Sequence, residues 1–408
     1  MPTILVLPFS VSMAHVIRPL EVAKILRENG YHIIFAGGGK YMEIARQEDF
    51  EVEFLPEIDI KEAMSLIGQE SRAFHPLERA EEWVKAELEL LDEVRPTAVL
   101  DDLRITAGIS TEIKNIPRFT TLNAHATSYA VSNILDESLP SPPSAFGFGA
   151  EEAYNQVRVR YGLTPVDHPF DLLTGDEVLL CDIPEYCPMK DDMPHNYHFV
   201  GPITWGNQLP APDWIDNLNP ERPTIYVTMG STGHENTFQT AIEAFGGTDY
   251  QVMMTLGNII QTSDLPPLPD NFFSSQLAPG NVLASLADVV VCHGGNGTVY
   301  QALECGTPLV TLPRVRDQFW NSKRQVELGL SITLTSYDAD SMKKGVEEVL
   351  KNPSYREDAI RFQKIMEDYD GPWMAAQLIN DRIQNPNAWE KDFDSYEFKG
   401  EKRAARVG

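Results

Sequence analysis

The stretch VCHGGNGTVYQALECG, residues 291–306, sets a histidine and three glycines in front of a helix-like run. An apolar strand ending at Cys292 would carry His293 at its tip. Gly294, Gly295 and Gly297 then allow tight turning and close approach of a ligand to the backbone. Thr298 and the unpaired N–H groups beside it would open a helix over 298–304, which Gly306 ends. Bare amides at a helix N-terminus attract an anion, and His293 could donate to the same anion. A plain strand–turn–helix, with glycines serving geometry alone, has the same pattern. The stretch is not a P-loop, because no Lys-Ser/Thr follows the glycines.

VTMGSTG, 227–233, is a second turn of this kind, with Gly230, Ser231 and Thr232 after a strand. Facing the first turn across one sheet edge, it would become the other side of a phosphate cleft. His15, within LPFSVSMAHVIRPLEVA (7–23), is read as lying in the loop between the first strand and the first helix. A histidine there could serve as a base, although a lone histidine is more often structural. Asp101-Asp102, ending another strand, could orient it and fix its tautomer. FAGGGK (35–40) lacks Gly-x-Gly-x-x-Gly spacing and a following acidic residue, which argues against a dinucleotide site.

These residues need strands to carry them and helices to follow. TILVLPF (3–9) is a near-continuous apolar run, as expected for a parallel strand covered on both faces. Helix 16–29 follows, with Val16, Leu20, Ala23 and Leu26 at helical spacing and Gly30 as its stop. HIIFAGG (32–38), TAVLDD (97–102), RFTTLN (118–123) and DEVLLCDIPEY (176–186) read as strands. The helix 77–94 carries Leu77, Ala80, Val84, Leu88 and Leu91 on one face. The cycle restarts at 224–232, with strands at 250–257, 272–278, 288–294 and 308–313 and a helical stretch from Ser341 to Gln384. The spacing therefore predicts an α/β chain of two Rossmann-like, doubly wound parallel-sheet domains. The expected boundaries are 1–203, a Pro- and Gly-rich linker at 204–222, 223–385, and a tail at 386–408 that packs back on the first domain.

The 408 residues include 33 Lys and Arg against 60 Asp and Glu, a formal charge of −27. Such a chain repels nucleic acid and anionic membrane. An anionic ligand must then be held locally, by helix N-termini and a few placed cations. There is no apolar run of 18 residues for a membrane span, and the start has no charged region of a signal peptide. Cys181, Cys187, Cys292 and Cys305 give neither a disulfide framework nor zinc spacing. The expectation is a reduced, cytoplasmic protein, monomeric or homodimeric.

The chain resembles the family 1 glycosyltransferases of the GT-B fold, closest to bacterial macrolide- and natural-product-type members. The strongest pattern is HGGxGT…G-x-P…P…DQ. It is matched by His293, Gly294, Gly295, Gly297, Thr298, Gly306, Pro308, Pro313, Asp317 and Gln318. The resemblance implies that His293 and the amides of Gly295, Asn296, Gly297 and Thr298 hold a donor diphosphate. It implies that Asp317 and Gln318 bond the sugar hydroxyls, and that Gly230, Ser231 and Thr232 meet the diphosphate or nucleoside. His15 matches the family's base, and Asp102, better than Asp101, its partner. FVGP (199–202) is similar to the usual run into the linker. Leu277 stands where plant-type members carry a base-stacking Trp, and Gln301 replaces a ribose-binding Glu. Arg18 occupies the usual proline position, where it would meet an anionic acceptor or cap a surface.

The implied reaction is metal-independent, inverting transfer from a nucleoside diphosphate sugar, with UDP or dTDP as the nucleotide, to a hydroxyl of a small acceptor. That sugar nucleotide is a co-substrate, and no separate cofactor is expected. Asn123, His125, Tyr129 and Phe146 are expected to line the acceptor site. Tyr129, Phe146 and Phe148 suggest an apolar or aromatic acceptor, or else they pack their own loop. Two other readings share the diphosphate site: a nucleotide-sugar 2-epimerase, and a non-catalytic helper that binds nucleotide sugar. The first would turn over donor alone; the second would turn over nothing.

Overall fold

The computed structural model describes residues 1–66, 71–140, 149–205 and 209–385. Phe146 and Phe148, part of the linker and the expected tail lie outside these residues. The chain divides into two compact units: Met1–Asp136, Pro142–Ile203 and the chain from Tyr369 form one, and Glu137–Ser141 with Thr204–Asp368 form the other.

In the first unit the strands are β1 (Thr3–Pro8), β2 (His32–Ala36), β3 (Glu51–Glu53), β4 (Ala98–Asp102), β5 (Arg118–Leu122), β6 (Glu177–Leu180) and β7 (Tyr197–Phe199). All pair in parallel, in the order β3-β2-β1-β4-β5-β6-β7. The helices are α1 (Met13–Glu28), α2 (Met42–Gln47), α3 (Ile60–Ser65), α4 (Ser71–Phe74), α5 (Leu77–Val94), α6 (Ala107–Lys114) and α7 (Glu151–Arg160). Ile4, Leu5, Val6 and Leu7 of β1 are wholly buried, as a central strand covered on both faces requires. The buried face of α5 holds Ala80, Val84, Leu90 and Leu91, and also Glu87. Glu87 is tolerated there because Arg104 Nε donates to it at 2.6 Å and Ser110 Oγ at 2.7 Å.

The second unit repeats the plan with β8 (Thr224–Thr228), β9 (Gln251–Thr255), β10 (Phe272–Ser275), β11 (Val289–Cys292), β12 (Leu309–Thr311) and β13 (Ser331–Thr333). Its sheet order is β10-β9-β8-β11-β12-β13, again parallel. Between the strands run α8 (Asn236–Phe245), α9 (Gly280–Leu286), α10 (Asn296–Glu304) and α11 (Arg316–Glu327), followed by α12 (Ala339–Lys351) and α13 (Ser354–Met366). Val227, Val291, Val310, Phe238 and Met254 lie in its core.

The last helix, α14 (Gly371–Gln384), does not stay with the second unit, where the sequence pattern placed it. Tyr31, between α1 and β2, donates to Asn380 at 3.0 Å, and Arg382 forms a 2.5 Å ion pair with Glu177 of β6. Both ion-pair partners are buried, so this contact fixes where the helix belongs. Among the described residues no helix is long and apolar enough to cross a membrane.

Alternation along β4 sends Asp101 and Asp102 to opposite faces of the sheet. Asp101 accepts from Thr120 Oγ1 at 2.6 Å and lies 3.4 Å from Arg118, and its other oxygen has no partner among the described residues. Burial pushes its carboxyl up to about 7, against the opposing pull of Arg118. The folded chain therefore holds the Asp101 proton more tightly than the unfolded chain. That contribution is complete below about pH 4 and is lost as pH rises to about 7. Asp101→Asn should accordingly gain stability relative to wild type as pH goes from 4 to 7, read as thermal midpoints. A midpoint difference that stays constant across this range would refute the assignment.

Candidate functional site

At the carboxyl end of the first sheet, β1, β4, β5 and β6 deliver one connected cluster. His15 sits in the first turn of α1 and not in the preceding loop, because the helix already starts at Met13. Its Nδ1 lies 2.7 Å from Asp102 Oδ1. Asp102 has no exposed side chain, whereas His15 keeps 20% of its own. A substrate could reach the ring but not the carboxylate.

Arg18, one turn along α1, is the group that the sequence reading misplaced. It is buried, and it neither caps a surface nor stands open to an anionic ligand. Its Nε donates to Asp102 Oδ2 at 2.8 Å and its Nη2 to Oδ1 at 2.6 Å, a two-pronged pair. Its Nη1 donates to Asn123 Oδ1 at 2.5 Å. Thr121 Oγ1 adds a further donor to Asp102 at 2.7 Å. Burial alone would raise the Asp102 carboxyl, but the charges of Arg18 and His15 and their hydrogen bonds hold it below the ordinary carboxylate value. Arg18 Nη2 also lies 2.9 Å from His15 Nδ1. A guanidinium only donates, so a protonated Nδ1 can bond only Asp102. That tautomer leaves Nε2 bare, as a base requires. Pro19 has no N–H for the His15 carbonyl, so the first turn of α1 is one hydrogen bond short at this residue.

Asn123 extends the cluster: its Nδ2 reaches Asp182 Oδ2 at 3.4 Å, and Asp182 also accepts from Ala124 N–H at 2.6 Å. Asp182 was missed by the sequence reading, and its one signal was a carboxylate at the exit of the apolar strand VLLCD. The residues expected to line an acceptor site are thus largely committed. Asn123 holds Arg18. His125 is buried, and burial first and Arg18 second bring it down to about 3, so it is neutral. Tyr129 packs edge-on against Tyr197, with ring centres 5.1 Å apart, in keeping with the packing alternative. Phe9 sets its ring edge-on to His15 at 6.0 Å and was not foreseen.

In the second unit the turn after β11 carries His293 between two glycines. A Cβ on Gly230 would stand 2.5 Å from the ring, and one on Gly295 would stand 2.4 Å from Nε2. Only glycine fits at either place, and Gly230 also has φ +55°. His293 is 6% exposed and its Nδ1 has no partner among the described residues. Burial brings it down to about 4, so it is neutral at pH 7. Gly295 is the N-cap of α10 and offers no capping side chain. The helix starts at Asn296, two residues before Thr298, which puts Asn296, Gly297 and Thr298 all in its first turn. Asn321 secures this turn by bonding the Gly294 carbonyl at 3.0 Å and the Asn296 side chain.

The remaining expected residues separate. Gln318 is buried: its Oε1 accepts from Arg314 N–H at 2.9 Å and Val315 N–H at 3.3 Å, and its Nε2 donates to Thr232 Oγ1 at 2.9 Å. It ties the turn holding Gly230, Ser231 and Thr232 to the start of α11. Asp317 lies in the first turn of α11. Gln301 donates to the Trp205 carbonyl and covers Gly280. Leu277 is 46% exposed.

The family model of the erythromycin biosynthesis protein CIII-like C-terminal domain matches residues 239–379. A PGL/p-HBAD biosynthesis rhamnosyltransferase of Mycobacterium bovis (strain BCG / Pasteur 1173P2) is 28% identical over 374 residues, 86% of this chain and 81% of that one. The calicheamicin glycosyltransferase CalG4 superposes with a TM-score of 0.73 at 20% identity, covering 94% of this chain and 98% of that one. The spinosyn rhamnosyltransferase SpnG complexed with thymidine diphosphate gives 0.70 at 18% identity, covering 93% and 99%. The fold is that of the GT-B glycosyltransferase structures, the match to the CIII-like model lies mostly within the second unit, and the curated relatives are named glycosyltransferases.

Proposed function

We propose that the chain transfers a sugar, with inversion, from a nucleoside diphosphate donor bound by the second unit to a hydroxyl of a small natural-product-type acceptor. The observation that carries this reading is the reachable imidazole of His15 held by a buried, ionised Asp102 at 2.7 Å. His15 Nε2 takes the acceptor's hydroxyl proton as that oxygen bonds the anomeric carbon. The bond from that carbon to the diphosphate oxygen breaks, and its electron pair leaves with the diphosphate. Asp102 stabilises the imidazolium, as in other His–Asp pairs. The bare amides of α10 and the neutral His293 receive the leaving charge. The rhamnosyltransferase relatives and the thymidine diphosphate bound to SpnG favour a dTDP-deoxysugar donor, with UDP-sugars as the alternative. Among the described residues no cluster of His, Cys, Asp and Glu is set to hold a metal. Metal independence is part of the proposal.

His15→Ala should lower turnover by about 10²- to 10⁴-fold and leave nucleoside diphosphate affinity unchanged by calorimetry. Near-normal turnover removes the base assignment. Gly295→Ala should weaken nucleotide binding by about 1–3 kcal/mol, because the added methyl collides with the His293 ring; unchanged affinity would move the diphosphate elsewhere. Product anomeric configuration by NMR should be opposite to that of the donor, with transfer persisting in excess EDTA. Retention, or loss in EDTA restored by magnesium, would overturn those two parts. Epimerised donor in the absence of acceptor would instead support the isomerase.

A further inference from the structure

A diphosphate brings at least two negative charges to a chain of formal charge −27. The neutral His293 and the amides of α10 offer dipoles but no full positive charge. One guanidinium nearby is uncommitted. Arg314 leaves β12 just before α11, half-buried, and among the described residues its side chain has no hydrogen bond or ion pair. Other arginines of the chain are tied down: Arg18, Arg104, Arg118 and Arg356 each make several such bonds.

The backbone around Arg314 is stitched to the diphosphate turns from both sides. Its N–H and Thr232 Oγ1 share the amide of Gln318. The preceding carbonyl, of Pro313, accepts from Tyr337 OH at 2.6 Å, and the Tyr337 ring meets His234 edge-on at 4.8 Å. The Gln318 carbonyl lies 3.2 Å from where a Cβ on Gly294 would stand, so the start of α11 abuts the turn into α10. His234 is lowered by burial first and by the charge of Arg314 second, in keeping with a guanidinium near the Gly230–His234 turn.

We propose that Arg314 is a ligand of the donor's diphosphate, its planar fork closing on phosphate oxygens held above the first turn of α10. The inference rests on the donor site assigned above. Burial keeps His293 neutral, so the full positive charge would stand on a residue that cannot lose its proton.

The test is calorimetric titration of wild type, Arg314→Met and Arg314→Lys with dTDP and with UDP, and then with UDP-glucose and UDP-glucuronate. Arg314→Met should bind the diphosphates about 10- to 100-fold more weakly, with an unchanged circular dichroism spectrum, and Arg314→Lys should fall between. Affinity of wild type should drop with added salt more steeply than that of Arg314→Met. Met and Lys variants that both bind as wild type overturn this inference alone. A loss confined to UDP-glucuronate overturns it too, since the guanidinium would then serve a sugar carboxylate. Failure of wild type to bind any of these compounds overturns the donor site itself.

Discussion

A carboxylate with no contact to water remains an anion only if the fold supplies its solvation, and Asp102 is such a group. Its two oxygens face four donors: His15 Nδ1, two nitrogens of Arg18 and the Thr121 hydroxyl. Removing one partner of a buried pair of this kind costs roughly 3–5 kcal/mol, because the remaining charge stays buried. The first turn of α1, the end of β4 and the end of β5 are therefore locked to one geometry. The Arg18 pair also divides the labour at Asp102. Oδ2 is occupied by structural donors, while Oδ1 is shared between the guanidinium and the imidazole. The charge that orients the His15 imidazole is the same charge that holds the helix.

The second unit solves a different problem by subtraction. His293 occupies space that side chains at 230 and 295 would otherwise fill. A neutral imidazole packed between two backbones has little freedom to turn. Its Nδ1, without a partner among the described residues, and the uncapped first turn of α10 are polar groups that a ligand or water would satisfy.

The architecture is largely legible in the sequence because hydrophobic runs with helical intervals leave few alternatives. The GT-B fold expected from the family pattern agrees with the solved structures the chain resembles. Short edge strands escape: β3 and β7 have three residues each, too few for a periodicity argument. Glu87 on the buried face of α5 escapes too, since only its contact with Arg104 makes burial acceptable. The contact of His15 with Asp102 follows from two strand exits on adjacent strands. The roles of Arg18 and Asp182 do not, because they depend on partners 84 and 58 residues away. Gln318 and Gln301 show the opposite limit: a motif names a residue, but it does not say whether the side chain is already engaged with its own chain.

The return of α14 to the first unit has a consequence for recombination between relatives. A chimaera joined once, near residue 203, would inherit its last helix from the wrong parent. Arg382 would then face a Glu177 it did not arise with, and Tyr31 an unfamiliar Asn380. Gly371 would also have to fit beneath a foreign Pro202 carbonyl, which leaves no room for a Cβ. A workable exchange of the second unit needs two junctions, the second between α13 and α14, so that the first unit keeps both ends of its own chain.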